Sequence, residues 1–337
     1  MRMPRLTFEL EEKRLNEEIL KRGSKRVLIQ LPEGLKQEGS RLAAVVEKAG
    51  AVAIVSADPC YGACDLATLD AESLDVDLIV HYGHSEMMKQ KRVQTLYVEA
   101  RAKISIKGAV KKAIRLLEDY TSIGLTTTVQ HVHVLNEARE LLLKAGKTVA
   151  IGDVGQSKYA GQVIGCDFSN AQSISKDVEA FLFLGGGRFH AIGVELTTGK
   201  PTIIADPYEK RAYSIHDEVL RLLKKRWASI SKAKEAEIFG VLIGLKTGQK
   251  RVRKALEMKE KLEKNGKKAT LLAVREITPS VLMQFLDIDA YVNTACPRIS
   301  LDDTLSFRTP VLTFNETLVM LGETSWEELC RKGWFES

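Results

Sequence analysis

No run of 18 consecutive apolar residues occurs in the 337-residue chain, so the sequence offers no membrane-spanning helix. It also lacks a charge excess of one sign. Its 50 Lys and Arg stand against 44 Asp and Glu, a net +6, and a nucleic-acid partner does not follow from so mild a balance. The opening segment, MRMPRLTFELEEKRLNEEIL, is too charged for a secretory signal. A cytoplasmic protein with reduced thiols is therefore expected, without a membrane or a direct nucleic-acid partner.

Cysteine is scarce, at five, and the gaps in its pattern are informative. Cys60 and Cys64 bracket Tyr61, Gly62 and Ala63, a spacing too wide for a redox C-x-x-C. A zinc ribbon would need a second cysteine pair, and no histidine lies beside a cysteine at a usual zinc spacing. What the chain does have is apolar content, 45%, enough to build cores for two or three domains. Charged residues of both signs make up 28%, which argues against disorder.

Self-comparison exposes one design used three times. VVEKAGAVAIVSA (45–57), LLLKAGKTVAIGD (141–153) and KLEKNGKKATLLA (261–273) each end an amphipathic helix, place a glycine after it and continue as a β-rich run. Gly50, Gly146 and Gly266 are expected to take the left-handed conformation that closes the helix. A buried strand precedes each helix, at 26–31, 123–129 and 239–245. A third follows at 77–83, 180–186 and 290–296, and a fourth at 94–99, 201–207 and 310–316. Short apolar strands alternating with helices indicate parallel sheet covered on both faces. One large doubly wound sheet would look similar, but the recurring four-strand order favours three small α/β/α domains, each with a mainly four-stranded parallel sheet. The expected boundaries are 1–103, 104–210 and 211–337.

In open parallel sheets, ligands bind beyond the carboxyl ends of the strands. Cys64 and Cys60 follow the second strand of the first unit, Cys166 follows the second strand of the second, and Cys296 ends the third strand of the third. Cys330, in SWEELCRKG, reads as a structural residue on a C-terminal helix. A lone cysteine is usually a small buried hydrophobe. One per unit, all at the functional edge, is harder to explain that way. If the units converge about a pseudo-threefold centre, three thiolates meet, and they suit either a zinc ion or an iron–sulfur cluster.

Eight blocks in order then carry a family resemblance: LIQLPEGL (28–35), YGACDLA (61–67), GHS (83–85), TTTVQHVH (126–133), GQVIGC (161–166), DPY (206–208), KRWASI (225–230) and ACPRISLDD (295–303). Over nearly its whole length the chain resembles the archaeal diphthamide-biosynthesis enzymes of the Dph1/Dph2 family, the 2-(3-amino-3-carboxypropyl)histidine synthases. The resemblance implies that Cys64, Cys166 and Cys296 hold a 4Fe–4S cluster with one iron open to substrate. Cys60 is then an extra thiol, a spare ligand or an oxidation liability.

The resemblance further implies a transferase that takes S-adenosylmethionine as substrate without the C-x-x-x-C-x-x-C loop of ordinary radical enzymes. Here Ala67 stands where that loop would have its last cysteine. The 3-amino-3-carboxypropyl group would pass as a radical to C2 of a histidine on translation elongation factor 2, leaving methylthioadenosine. An external one-electron reductant and a self-sufficient homodimer are implied, and no catalytic side chain beyond the cluster ligands.

The protein's part is then to choose which sulfonium bond is broken, a positioning task. The residues at the same edge supply candidates. Gly185, Gly186 and Gly187 would let a substrate approach the backbone closely, although a glycine run is more often only a turn. Gln130 and His131 could contact the adenine or the amino-acid end, while a buried histidine such as His131 or His190 is as often a core residue. Arg298 could pair with the substrate carboxylate and Asp302 or Asp303 with its ammonium, unless the three simply pair among themselves. Two rival readings stay open: a quinolinate-synthase-like 4Fe–4S condensing enzyme, and a non-catalytic iron–sulfur or zinc scaffold.

Overall fold

A computed structural model describes residues 8–88, 92–302, 307–332 and 334–335. Strand β1 (Phe8–Glu9) precedes a first sheet made of β2 (Arg26–Gln30), β3 (Val52–Val55), β4 (Leu78–Tyr82) and β5 (Gln94–Val98). β6 (Arg101–Ala102) then returns to pair antiparallel with β1. The second sheet holds β7 (Ser122–Thr127), β8 (Thr148–Ala150), β9 (Ala180–Leu184), β10 (Thr202–Asp206) and β11 (Arg211–Ser214). The third holds β12 (Ile238–Gly244), β13 (Lys268–Val274), β14 (Ala290–Asn293) and β15 (Val311–Thr313).

The spatial orders are β3-β2-β4-β5, β8-β7-β9-β10-β11 and β13-β12-β14-β15. In each sheet the second strand in sequence lies at the edge, beside the first, and the third and fourth extend the other side. All pairings within the three sheets are parallel except that of β11 with β10. The chain is thus a mixed α/β protein with several mainly parallel sheets. The expectation of four strands per sheet needs one correction. β11 lies just past residue 210, where a boundary is expected, yet it pairs with β10 and gives the second sheet a fifth strand. Antiparallel neighbours need only a tight turn, so the chain doubles back before leaving the sheet.

Burial explains the strand sequences. β4, β9 and β10 are buried at every residue, as inner parallel strands covered on both faces are, and β9 is apolar throughout. The edge strands β3 and β13 carry partly exposed residues. The helices Gly39–Lys48, Leu135–Lys144 and Val252–Lys264 end in one hydrogen-bond pattern. Gly50, Gly146 and Gly266 have φ of 85°, 80° and 75°. The N–H of each donates to Glu47, Leu143 or Glu263, while the next residue reaches back to Val46, Leu142 or Leu262. This double closure satisfies carbonyls that would otherwise lack partners at the helix end.

The apolar cores are not equal. Val27, Ile29, Leu78 and Val80 pack with Leu15 and Leu42 in a core confined to the first sheet and its helices. The second and third sheets instead share one continuous core, which takes in Phe181 and Phe183, Phe239 and Val241, and Ile230. Ile230 belongs to the helix His216–Ala233, which also buries Arg226 completely. Nε and Nη2 of Arg226 donate to the two carboxylate oxygens of Glu316, each at 2.6 Å. Its remaining donors reach the carbonyls of Ser300 at 2.7 Å and Val311 at 2.8 Å. Glu316 in turn accepts from the backbone N–H of Thr313, completing a capping box. Ser300 lies on the helix Pro297–Asp302 that follows Cys296, so this pair fixes the third cysteine's surroundings.

Removing one partner leaves the other buried and unpaired. Arg226→Met or Glu316→Gln is expected to cost about 3–5 kcal/mol in urea unfolding, with much of the loss recovered in the Arg226→Met/Glu316→Leu double variant. A single-variant loss under about 1 kcal/mol would show that the pair carries no such weight.

Candidate metal centre

Three loops at the carboxyl ends of the strands meet over one cavity of about 170 Å³. Cys64 comes from the loop between β3 and β4, Cys166 from the segment after β8, and Cys296 from the end of β14; all three line the cavity. Burial pushes the Cys166 thiol up to about 12, and Cys64 and Cys296 push it further the same way. Cys64 and Cys296 are thus close enough to Cys166 to oppose its ionisation. A bound cation reverses that preference, because a coordinating thiol is deprotonated. Three soft sulfur donors fit an iron–sulfur cluster or zinc. With Cys60 outside the cavity lining and Cys330 on the helix Trp326–Lys332, the described residues offer the cavity three cysteine donors.

Polar contacts hold the loops in place. The N–H of Gly248 donates to the Cys64 carbonyl at 2.7 Å, and Gln249 Nε2 lies 3.5 Å from Cys64 Sγ. Lys246 is buried between Asp65 at 2.9 Å and Glu276 at 2.6 Å, linking the first sheet's loop to the third sheet. Gln162 Nε2 donates to Ser85 Oγ at 3.0 Å, and Gln130 Nε2 to the Gly83 carbonyl at 2.6 Å, linking second to first. Asn293 steadies the third loop: its Nδ2 donates to the Cys296 carbonyl at 2.6 Å while its Oδ1 accepts the Ala295 N–H.

The positioning candidates separate. Gln130 and Arg298 line the cavity with the cysteines, and the Arg298 guanidinium stacks 3.0 Å from the centroid of Phe189. His131, next to Gln130, does not line it. It is buried at 1% exposure, edge-on to Tyr208, and burial lowers its pKa to about 4. Gly185, Gly186 and Gly187 also lie outside the lining. A Cβ on Gly186 would come within 2.7 Å of the Tyr208 ring, so that glycine makes room for a side chain of its own protein. Asp302 ends the helix Pro297–Asp302, and Asp303 lies outside the described residues.

Sequence reasoning passed over Gln249 and His84 and left His190 undecided; all three line the cavity. Burial, with Arg298 adding, takes His190 down to about 3, so its imidazole is neutral. The available signal was position: like Cys166 and Cys296, each follows the carboxyl end of a strand.

Two outcomes follow. A Cβ on Gly248 would fall 2.7 Å from Cys64 Cα and Cβ, so Gly248→Ala must displace the cysteine. Iron affinity on anaerobic reconstitution is expected to fall ~10–100-fold, as for other outer-shell changes, and an unchanged iron content would contradict the contact's role. The second concerns Glu99, which joins the first and second sheets through Lys158 and Tyr159. Burial alone would raise its carboxyl, but hydrogen bonds from Lys158, Tyr159 and Arg101 outweigh it and leave the pKa below the ordinary value. A depressed carboxyl stabilises the fold above its unfolded pKa of about 4.3, and that contribution is lost as pH falls through the folded value. Glu99→Gln should therefore be less stable than the native chain by about 1–3 kcal/mol at pH 7, with the gap closing on acidification. A gap independent of pH would contradict this.

With the geometry in place, comparison with known proteins is direct. The family model for the diphthamide synthesis protein matches residues 31–330. The 2-(3-amino-3-carboxypropyl)histidine synthase of Pyrococcus horikoshii is 38% identical over 320 residues, covering 94% of this chain and 92% of that protein. Subunit 1 of the corresponding enzyme from Schizosaccharomyces pombe is 34% identical, covering 91% of this chain and 72% of that one. The crystal structure of Dph2 from Pyrococcus horikoshii with a 4Fe–4S cluster is similar with a TM-score of 0.87 at 37% identity, covering 95% of this chain and 93% of that one. The chain belongs to the diphthamide synthesis family and, matched along nearly its whole length by synthases, is an enzyme of the transferase class.

Proposed function

We propose that this chain transfers the 3-amino-3-carboxypropyl group of S-adenosylmethionine to C2 of a histidine on translation elongation factor 2, the first step of diphthamide synthesis, releasing methylthioadenosine. The observation that carries the reading is the meeting of Cys64, Cys166 and Cys296, one from each sheet, on a single cavity in a chain of this family. Bound to these thiolates, a 4Fe–4S cluster supplies the single electron that opens a carbon–sulfur bond of the sulfonium.

The remaining residues orient and shelter. Arg298, held flat against Phe189, presents a fork suited to the carboxylate of the aminocarboxypropyl group. Gln130, also in the cavity lining, is a polar contact for the nucleoside, and neutral His190 can accept or donate hydrogen bonds without bringing charge near the sulfonium. Burial raises the Cys64 thiol above its ordinary value, and the Gln249 hydrogen bond toward its Sγ works against that rise. Asp302 and Asp303 stay candidates for the substrate ammonium, while His131 and Gly186 pack against Tyr208 outside the lining.

On this reading the three sheets are small α/β/α domains set around a pseudo-threefold centre, divided near residue 103 and just after β11. The protein works as a homodimer in the cytoplasm, fed by an external one-electron reductant. No helix among the described residues is long and apolar enough to cross a membrane.

The test is anaerobic. The reconstituted, reduced protein is mixed with S-adenosylmethionine and elongation factor 2, and both the nucleoside and the factor's mass are read. Methylthioadenosine together with one added aminocarboxypropyl group is expected. 5′-Deoxyadenosine, or no nucleoside from a verified reduced cluster, would refute the proposal. Arg298→Lys should mainly raise KM for S-adenosylmethionine, because a point charge replaces the bidentate fork.

A further inference from the structure

Cys60, outside the cavity lining, is buried at 3% exposure. The fold sets it beside two histidines from another part of the chain: His81, fully buried in β4, and His84, just beyond that strand's end. The Cys60 sulfur and one ring nitrogen from each histidine all lie within 4.8 Å of one another. These residues are too far apart in sequence to register as a usual zinc spacing.

A neighbouring amide fixes how His81 presents itself. Gln30 Nε2 donates to the Asp65 carbonyl at 2.6 Å and Gln30 Oε1 accepts the Ala67 N–H at 3.2 Å, which settles the amide's orientation. The 2.8 Å contact between that Oε1 and His81 Nδ1 therefore requires a proton on Nδ1. His81 is neutral, burial holding its pKa well below the ordinary value, so Nε2 carries a lone pair. That nitrogen lies 3.0 Å from His84 Nδ1. An imidazole whose far N–H is committed to a carbonyl oxygen is the arrangement that orients metal-bound histidines.

We propose that Cys60, His81 and His84 form a second metal site, for one divalent cation of the zinc class, which shares only His84 with the lining of the three-cysteine cavity. One sulfur and two imidazole nitrogens suit such an ion and leave a fourth position for water. On binding, Cys60 releases its thiol proton to solvent, and the proton on His84 Nδ1 moves to Nε2; nothing is oxidised or reduced. The cation would tie the end of β4 to the loop that carries Cys64 and so brace the first of the three cluster ligands. The site stands whether or not the transferase reading does.

The experiment uses the full chain with its cluster reconstituted, given one equivalent of zinc and passed over a chelating resin. Zinc-edge X-ray absorption, which is blind to iron, should report one sulfur at ~2.3 Å and two nitrogens at ~2.0–2.1 Å. Zinc should be lost in Cys60→Ala and in His84→Gln, with iron retained in Cys60→Ala, and Gln30→Leu should weaken zinc binding ~10–100-fold. Three outcomes overturn the proposal: no zinc survives the resin, zinc persists in Cys60→Ala, or two or more sulfurs surround the ion. The last would place zinc on the cluster cysteines instead. Circular dichroism of each variant separates loss of the site from loss of fold.

Discussion

Three cysteines, of which Cys166 is kept from ionising partly by the other two, have to be held at one cavity by loops from three separate sheets. Each of Cys64, Cys166 and Cys296 sits where a parallel strand ends and the chain turns away, and that is where the rest of the molecule is most heavily braced. Only a centre with enough positive charge makes such a meeting favourable. The polar contacts around it read as the cost of keeping the geometry ready. Lys246 between the Asp65 and Glu276 carboxylates, Gly248 on the Cys64 carbonyl, and Asn293 on the Cys296 carbonyl all tie down the loops that carry the cysteines.

The sheets are joined in two different ways. The second and third share an apolar core and the Arg226–Glu316 pair, so Cys166 and Cys296 belong to one packed mass. The first sheet keeps its own core and meets the others largely through polar links at the site, among them Glu99 with Lys158 and Gln130 with Gly83. Cys64 is therefore the cysteine of the three whose position depends most on directional hydrogen bonds. Such bonds are strong only while every partner is satisfied. A metal at Cys60, His81 and His84 would add a bond of a different kind at that weaker junction.

Much of this fold could be read before any coordinates, because its signals are local. A helix-ending glycine followed by a β-rich run marks each unit, and Gly50, Gly146 and Gly266 have the positive φ that the pattern demands. Strands such as AFLFL announce their burial by composition alone. β11 was missed because RAYS carries no apolar run, and only its pairing with β10 makes it a strand of that sheet. The site was legible in part for a related reason. Strand ends located the cysteines, and the family's sequence blocks chose among them. Gln130 and His131 are neighbours in sequence, yet one faces the cavity and the other packs under Tyr208. Gln249, His84 and His190 come from different sheets, so no spacing along the chain brings them together.

The central claim is that one cluster rests on these three cysteines and leaves one iron without a protein thiolate. Mössbauer spectroscopy of the reconstituted chain, recorded with and without S-adenosylmethionine, tests it most directly. The account predicts a single 4Fe–4S centre in which one iron differs from the others and shifts when S-adenosylmethionine binds. It also predicts that the centre is lost when Cys64, Cys166 or Cys296 alone becomes alanine and kept when Cys60 does. Four equivalent irons, or an intact cluster in any of those three single variants, would contradict it.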